Sequence, residues 1–163
     1  MLVEAPLGNI LDADSCDVSV RAIDWLDLSW AQCASRAMRR QSRSGLEVRF
    51  LLGLGISLRH GDLLWQSDDG SSAVVVNVLP SEVLVATATT LEEAASIGFE
   101  LGNLHAPMQF AAERIITLYD GPIQAVLDRL VVSYERQTRR FEPQFKGDGQ
   151  FTLADNFELS RKR

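Results

Sequence analysis

Hydrophobic positions along this chain change their period once, close to its midpoint. Through the first half, apolar residues alternate with polar ones or gather in short runs bounded by turn residues. Val18 and Val20 alternate with polar neighbours, as do Leu26, Leu28 and Trp30. Leu46-Glu47-Val48-Arg49-Phe50-Leu51-Leu52 alternates again after the turn signal Ser44-Gly45, and Gly53 and Gly55 break it. Arg59-His60-Gly61-Asp62 marks a tight turn before Leu63-Leu64-Trp65. Ser67-Asp68-Asp69-Gly70-Ser71 marks a hairpin before the valine-rich run Ala73 to Leu79. A period of two punctuated by Asp-Gly predicts strands. With no helical stretch among them, strands at this spacing predict a small all-β domain, a sandwich or barrel, over residues 17–79. Residues 1–16 are mixed and acidic, with Pro6 and Gly8, and are expected to form a flexible lead-in.

The pattern lengthens after Pro80. Val83 to Ala86 predicts one strand. Thr90-Leu91-Glu92-Glu93 reads as a capping box, the Thr90 hydroxyl accepting the Glu93 amide and the Glu93 carboxylate reaching back to the Thr90 amide. Leu91, Ala94, Ala95, Gly98 and Leu101 then fall on one helical stripe. Pro107 has no amide donor and restricts Ala106, so this helix should end by about Asn103 to His105. Met108 to Ala112 and Ile115 to Tyr119 predict two strands joined at Glu113-Arg114. Asp120 as cap and Pro122 in the first turn open a second helix, with Ile123, Val126, Leu127 and Leu130 as its apolar stripe. Tyr134 to Phe141 closes the series as a charged edge strand. Strand, helix, strand, strand, helix, strand over residues 80–143 is the order of ferredoxin-like folds. The fold class is therefore α+β: a small all-β N-terminal domain followed by a ferredoxin-like βαββαβ domain. Residues 144–163, polar with scattered aromatics, are expected to be disordered.

Charge narrows the function. The chain of 163 residues carries a net charge of −6 and a sequence pI near 4.9, which excludes general nucleic-acid binding and disfavours anionic lipid. The first residues lack a basic segment and a sustained apolar run. No later run approaches the ~18 to 20 residues of a membrane span. A cytoplasmic location follows as the expectation. Cys16 and Cys33 should then be reduced, buried small residues. Positive charge is bunched in Arg36, Arg39, Arg40 and Arg43, and again in Arg161, Lys162 and Arg163. Such clusters are solvated edges unless an acidic partner covers them.

Two histidines remain as candidate chemistry. His60 sits in a turn between strands and reads as an exposed turn residue. His105 lies in Gly102-Asn103-Leu104-His105-Ala106-Pro107-Met108-Gln109-Phe110, four residues after Leu101, where it should face either the core or a partner subunit. Asn103 and Gln109 supply amides that could orient the ring or the turn. With no His-x-x-His, no His-x-His and no nearby cysteine, one chain cannot assemble a full metal site locally. A two-fold dimer would double the ligand count. No catalytic residues emerge: there is no Gly-x-Ser-x-Gly and no phosphate loop. Glu92-Glu93 and Asp68-Asp69 are better explained by capping and solvation, so the chain is not expected to be an enzyme.

The run Gly102 to Gln109 resembles the Gly-Asn-x-His-x-Pro-[Leu/Met]-Gln signature of the UreE family, urease accessory nickel chaperones. Other pieces fall in the family's order. They are Asp24 to Trp30, Ser35-Arg36 with Arg39-Arg40, Ser44-Gly45-Leu46-Glu47-Val48, Ser57 to Leu64, and Phe141-Glu142-Pro143. The resemblance implies a homodimer in which His105 of each subunit binds one Ni2+ at the dimer axis, supported by Gly102, Asn103 and Gln109. The ion would pass to the urease apoprotein complex during metallocentre assembly, through the accessory GTPase UreG. The N-terminal domain would make protein contacts. Cu2+ should bind the same imidazoles at least as well, and Zn2+ competitively. The histidine-rich tail of many family members is missing here, as are histidines near Leu118-Tyr119-Asp120-Gly121, so low capacity is expected, one ion per dimer. The alternative is a metal-independent adaptor whose Arg36, Arg39, Arg40 and Arg43 bind an acidic partner while His105 is structural.

Overall fold

The computed structural model describes residues 1–12 and 21–144. The chain divides into two compact units, Met1–Leu79 and Pro80–Arg163. Cys16, the Val18/Val20 alternation and the tail beyond Gln144 lie outside the described residues.

The first unit is built from two sheets around one core. Its elements are β1 (Leu2–Val3), β2 (Gly8–Asn9), β3 (Ala22–Leu28), α1 (Trp30–Cys33), β4 (Ala37–Gln41), β5 (Glu47–Leu51), β6 (Asp62–Gln66) and β7 (Ser72–Val78). One sheet has the order β1-β5-β4 and the other β2-β6-β7-β3, with parallel pairs at β1/β5 and β3/β7. Leu26, Leu28, Val48, Phe50, Leu64, Val74, Val76 and Val78 fill the shared core, joined by Cys33. Val75, Leu63 and Ala73 are buried on the opposite face of the four-stranded sheet, with Ile10 and Trp25 against them. A strand covered on both faces needs no polar alternation, which explains the unbroken valine run.

Two expectations are corrected here. Residues 1–12 are not a loose lead-in, because their backbone completes both sheets and Asn9 is held by the turn at 59–62. The Asn9 amide donates to the His60 carbonyl and to Asp62 Oδ1, each at 2.8 Å, and Asp62 also accepts the Arg59 amide at 2.6 Å. Asp62 is only 3% exposed, and burial pushes its carboxyl above the usual range despite these bonds. Gly61 has φ +84, and a Cβ there would lie 2.7 Å from Asn9 Oδ1, so the turn needs glycine. The unit is also not free of helix. Trp30 opens α1 rather than continuing a strand, since Ser29 and Gln32 form a capping box.

The second unit contains β8 (Ser81–Thr87), α2 (Leu91–Asn103), β9 (Met108–Ala111), β10 (Arg114–Leu118), α3 (Gly121–Leu130) and β11 (Ser133–Arg139). Its sheet runs β11-β8-β10-β9, antiparallel throughout. Leu84, Ala86, Met108 and Ile115 pack against Ile97 and Leu101 of α2 and Ile123 and Leu127 of α3. The hairpin turns at Ala112-Glu113, one residue earlier than expected, and β11 ends at Arg139. Being an edge, β11 satisfies its charge locally: Arg136 donates to both Glu82 oxygens at 2.8 Å and lies 3.6 Å over the Tyr119 ring.

The α2 stripe also shifts. Its buried positions are Ile97 and Leu101, with Ala94 beside them, whereas Leu91 is 87% exposed and Ala95 is exposed. Thr90 caps the helix as expected, its hydroxyl accepting the Glu93 amide at 3.1 Å. Glu93 reaches one residue further back than expected, taking the Thr89 amide and hydroxyl at 2.7 Å. These bonds hold its carboxyl below the usual range. Asp120 takes the N-cap position of α3 without a side-chain cap bond.

Helix α3 ends on Val131, left-handed at φ 57° and ψ 31° and 89% exposed. A β-branched residue is strained in this conformation and gains nothing there from burial. Val131→Gly is therefore expected to stabilise the protein by about 1 kcal/mol. The check is the urea midpoint of the variant, and a lower midpoint would mean that Val131 makes contacts worth more than its strain.

Candidate metal centre

Helix α2 must stop because Pro107 cannot continue it, and its last carbonyls need donors. Leu104 forms the C-cap, its amide donating to the Glu100 carbonyl at 3.2 Å. The His105 amide donates to the Gly102 carbonyl at 2.9 Å and the Ala106 amide to the Leu101 carbonyl at 3.0 Å. This pair of back-folded bonds is the Schellman closure, and it requires a left-handed residue at its turning point. That residue is His105, with φ 52°. Glycine is the usual occupant, since a side chain costs roughly 1–2 kcal/mol in this conformation. Histidine belongs with asparagine and aspartate among the residues that tolerate it.

The chain beyond the corner is anchored. Ala106 and Pro107 are buried, and the Pro107 carbonyl accepts the buried Thr117 hydroxyl at 3.0 Å. Ala106 packs beside Leu101 in the core, the apolar contact that accompanies this closure. His105 itself is exposed, flanked by Asn103 and Leu104, which are exposed as well. It is therefore not a core histidine. The helical spacing from Leu101 pointed toward a packed surface, but the left-handed turn breaks that periodicity at the residue in question.

The proposed supporting residues have distinct places. Gln109, half-buried on β9, accepts the Glu142 amide at 3.0 Å through Oε1 and so ties the segment after β11 to the sheet. Gly102 has ordinary helical backbone, and a Cβ there would meet nothing within 4 Å, so the chain's own packing does not demand glycine. Among the described residues no group of three or more His, Cys, Asp or Glu side chains could hold a metal ion. One chain thus presents one imidazole at this corner, with buried anchors behind it.

The other candidates separate. The four arginines do not form one cluster. Arg43 makes a bidentate pair with Asp27 at 3.0 and 2.9 Å, and Asn77 donates to the same carboxylate at 2.6 Å. The Arg43 guanidinium and the Asn77 amide hold Asp27 below the usual carboxylate range. Arg36 donates to the Leu52 carbonyl at 3.4 Å and Arg40 to the Arg39 carbonyl at 2.9 Å. Arg39 pairs with Glu47 at 3.4 Å. Sequence spacing missed Arg49, which lies directly opposite Arg39 across β4 and β5. His60 is also more than an exposed turn residue. It is half-buried and stacks on Trp25 with ring centroids 5.9 Å apart, and its Nδ1 accepts the Val78 amide at 3.4 Å.

Residues 81–155 match the family model described as UreE urease accessory protein, C-terminal domain. Over 149 residues the chain is 32% identical to the urease accessory protein UreE of Lysinibacillus sphaericus, covering 91% of this chain and 98% of that protein. It is 31% identical over 146 residues to the Bacillus cereus protein of the same name, covering 90% and 95%. The Actinobacillus pleuropneumoniae protein is 34% identical over 124 residues, covering 75% of this chain and 65% of its own length.

Substitutions at the corner separate backbone from side chain. His105→Gly is expected to fold at least as stably as the parent, gaining up to about 1 kcal/mol, and His105→Val to lose about 1 kcal/mol. Urea unfolding measures both. A strongly destabilised His105→Gly would show that the imidazole packs rather than projects.

Proposed function

The chain belongs to the UreE family of urease accessory proteins, and we propose that it is a homodimeric nickel chaperone whose cargo is held between the His105 imidazoles of two copies. Membership of that family makes it an accessory protein and not an enzyme. The observation that carries the metal reading is the exposed His105 at a left-handed corner backed by buried Ala106 and Pro107. The backbone there is held from behind while the residue itself is exposed, the placement that a ligand shared with another molecule needs.

Ligand arithmetic supports the dimer. Imidazole nitrogen is a good donor for Ni2+, with Cu2+ and Zn2+ as competitors. A single imidazole is too few, and a second copy supplies the other. The exposed apolar residues Leu91 and Phe99 on α2, 87% and 69% exposed, favour burial against such a copy. Two imidazoles leave coordination positions open, which suits an ion that must be handed on. Gly102 and Asn103, in the last turn of α2, and Gln109 on β9 would support the corner from either side.

The second unit is the ferredoxin-like, metal-binding and dimerising part in this proposal. Its strand order β11-β8-β10-β9, with a helix after the first and third of its strands, supports that topology. The first unit would make the protein contacts. The ion would be delivered to the urease apoprotein complex through the GTPase UreG. No helix among the described residues is long and apolar enough to cross a membrane.

Native mass spectrometry during a nickel titration tests the proposal. One ion per wild-type dimer is expected, and none in His105→Ala, with the dimer retained. No metal-dependent change in either protein would leave the adaptor reading in its place. Affinity should also fall as pH drops from 7 to 5, because protons compete with the metal ion for the ligating imidazole nitrogen. Isothermal titration at several pH values reads this directly, and a flat profile rules out histidine ligation.

A further inference from the structure

Among the described residues the second unit buries one polar side chain, and it is bonded to the corner that carries His105. Thr117 sits in the apolar run Ile115-Ile116-Thr117-Leu118 of β10 and is 1% exposed. Its cross-strand partners are Leu84 of β8 and Met108 of β9, both packed in the core with α2 and α3. Valine has nearly the same shape and would fill this place at no polar cost, whereas a buried hydroxyl needs a hydrogen bond to be tolerated. Thr117 meets that condition by donating to the Pro107 carbonyl at 3.0 Å, across ten residues of sequence.

That bond completes the passage from helix to sheet. Between the C-cap Leu104 and the start of β9 at Met108 the chain has three residues, His105, Ala106 and Pro107. The His105 amide bonds the Gly102 carbonyl at 2.9 Å and the Ala106 amide bonds the Leu101 carbonyl at 3.0 Å, so these two are tied back to the helix. Pro107 has no amide to offer. Its ring fixes φ, which leaves ψ as its soft dihedral, and the direction of its carbonyl follows that angle. The Thr117 hydroxyl holds this carbonyl from the sheet. The backbone around His105 is thereby fixed to α2 on one side and to β10 on the other.

We propose that Thr117 is a positioning residue of the metal centre: its hydroxyl fixes the Pro107 peptide and, through it, the backbone from which the His105 imidazole binds nickel. The inference rests on the reading of His105 as the ligand. Thr117 itself is buried and does not reach the ion. An ion shared by two copies depends on this support twice, since each must present its ring from the same backbone geometry. Removing the hydroxyl keeps the shape of the core but frees ψ at residue 107. The two rings then sample more arrangements, and a smaller share of them suits the ion. The loss falls on affinity and on the uniformity of the ion's surroundings, while the fold and the dimer persist.

The test removes the hydroxyl at nearly constant shape, in Thr117→Val against the parent and in Thr117→Ala against Thr117→Ser, with His105→Ala as the reference. Isothermal titration at neutral pH reads nickel affinity, and electron paramagnetic resonance reads Cu2+ bound by the same imidazoles. Thr117→Val and Thr117→Ala are expected to bind nickel about tenfold more weakly and to broaden the copper hyperfine lines, and Thr117→Ser to restore both. Native mass spectrometry should show dimers throughout. Unchanged binding in His105→Ala would overturn the histidine reading and this inference with it. Binding lost in His105→Ala, beside parental affinity and line widths in Thr117→Val, would overturn this inference alone. Equal weakening in Thr117→Ser and Thr117→Ala would assign the effect to packing, and weakening accompanied by monomers would assign it to the dimer. Either result overturns the proposal.

Discussion

A helix that meets a proline shortly after its last buried leucine has to dispose of its final carbonyls within one turn. The Schellman closure at the end of α2 does this, and much of the second unit depends on it. The same reversal lets Ala106 drop beside Leu101, and Pro107 then presents its carbonyl to Thr117. It fixes where β9 begins and therefore the Met108 to Thr117 register with β10. It also needs one residue with a positive φ, and the occupant is the second unit's only histidine. Backbone closure and candidate ligand are thus one residue, whose main chain is fixed by the hydrogen bonds that end the helix.

Much of this architecture was legible in the sequence. The order of strands and helices in the second unit followed from a capping threonine, one proline and the apolar spacing of Ile123, Val126, Leu127 and Leu130. The His105 motif could be singled out because histidine is scarce in this chain and the residue stands next to a proline. Elements were misplaced where a local signal lost to a stronger partner. Trp30 continued an alternating pattern, but Ser29 and Gln32 cap each other's backbone and start a helical turn there. Leu91 and Ala95 fitted a helical stripe as well as Ile97 did, and only the sheet beneath decides which flank of α2 is covered. The short strands of residues 1–12 carry no periodicity of their own. Their order comes from long-range bonds, chiefly the Asn9 side chain on the 59–62 turn.

The arginines give the same lesson for charge. Four of them lie close in sequence, yet alternation along β4 sends Arg39 and Arg40 to opposite faces, and Arg43 is claimed by Asp27. The neighbour that matters for Arg39 comes from another strand, ten residues away in sequence. Pairing register creates that neighbourhood, and linear charge density does not reveal it. His60 shows the converse. It looked like a solvated turn residue, but its stacking on Trp25 and its bond from Val78 involve two further strands that sequence distance conceals.

The left-handed backbone at residue 105 also restricts how this position can drift over time. Side chains that bring a donor atom and still tolerate a positive φ form a short alphabet: histidine, asparagine and aspartate. Cysteine and glutamate, good ligands elsewhere, are disfavoured by the conformation before any chemistry is considered. Both permitted neighbours lie one nucleotide change from a histidine codon, and they offer oxygen in place of nitrogen. A lineage that wandered along this path would keep its fold and its corner while the donor it offers changed from one that suits nickel and copper to one that suits harder cations such as magnesium or manganese. Helix termination, settled by a proline and three hydrogen bonds, thereby sets the range of donor atoms within reach of simple mutation at this corner.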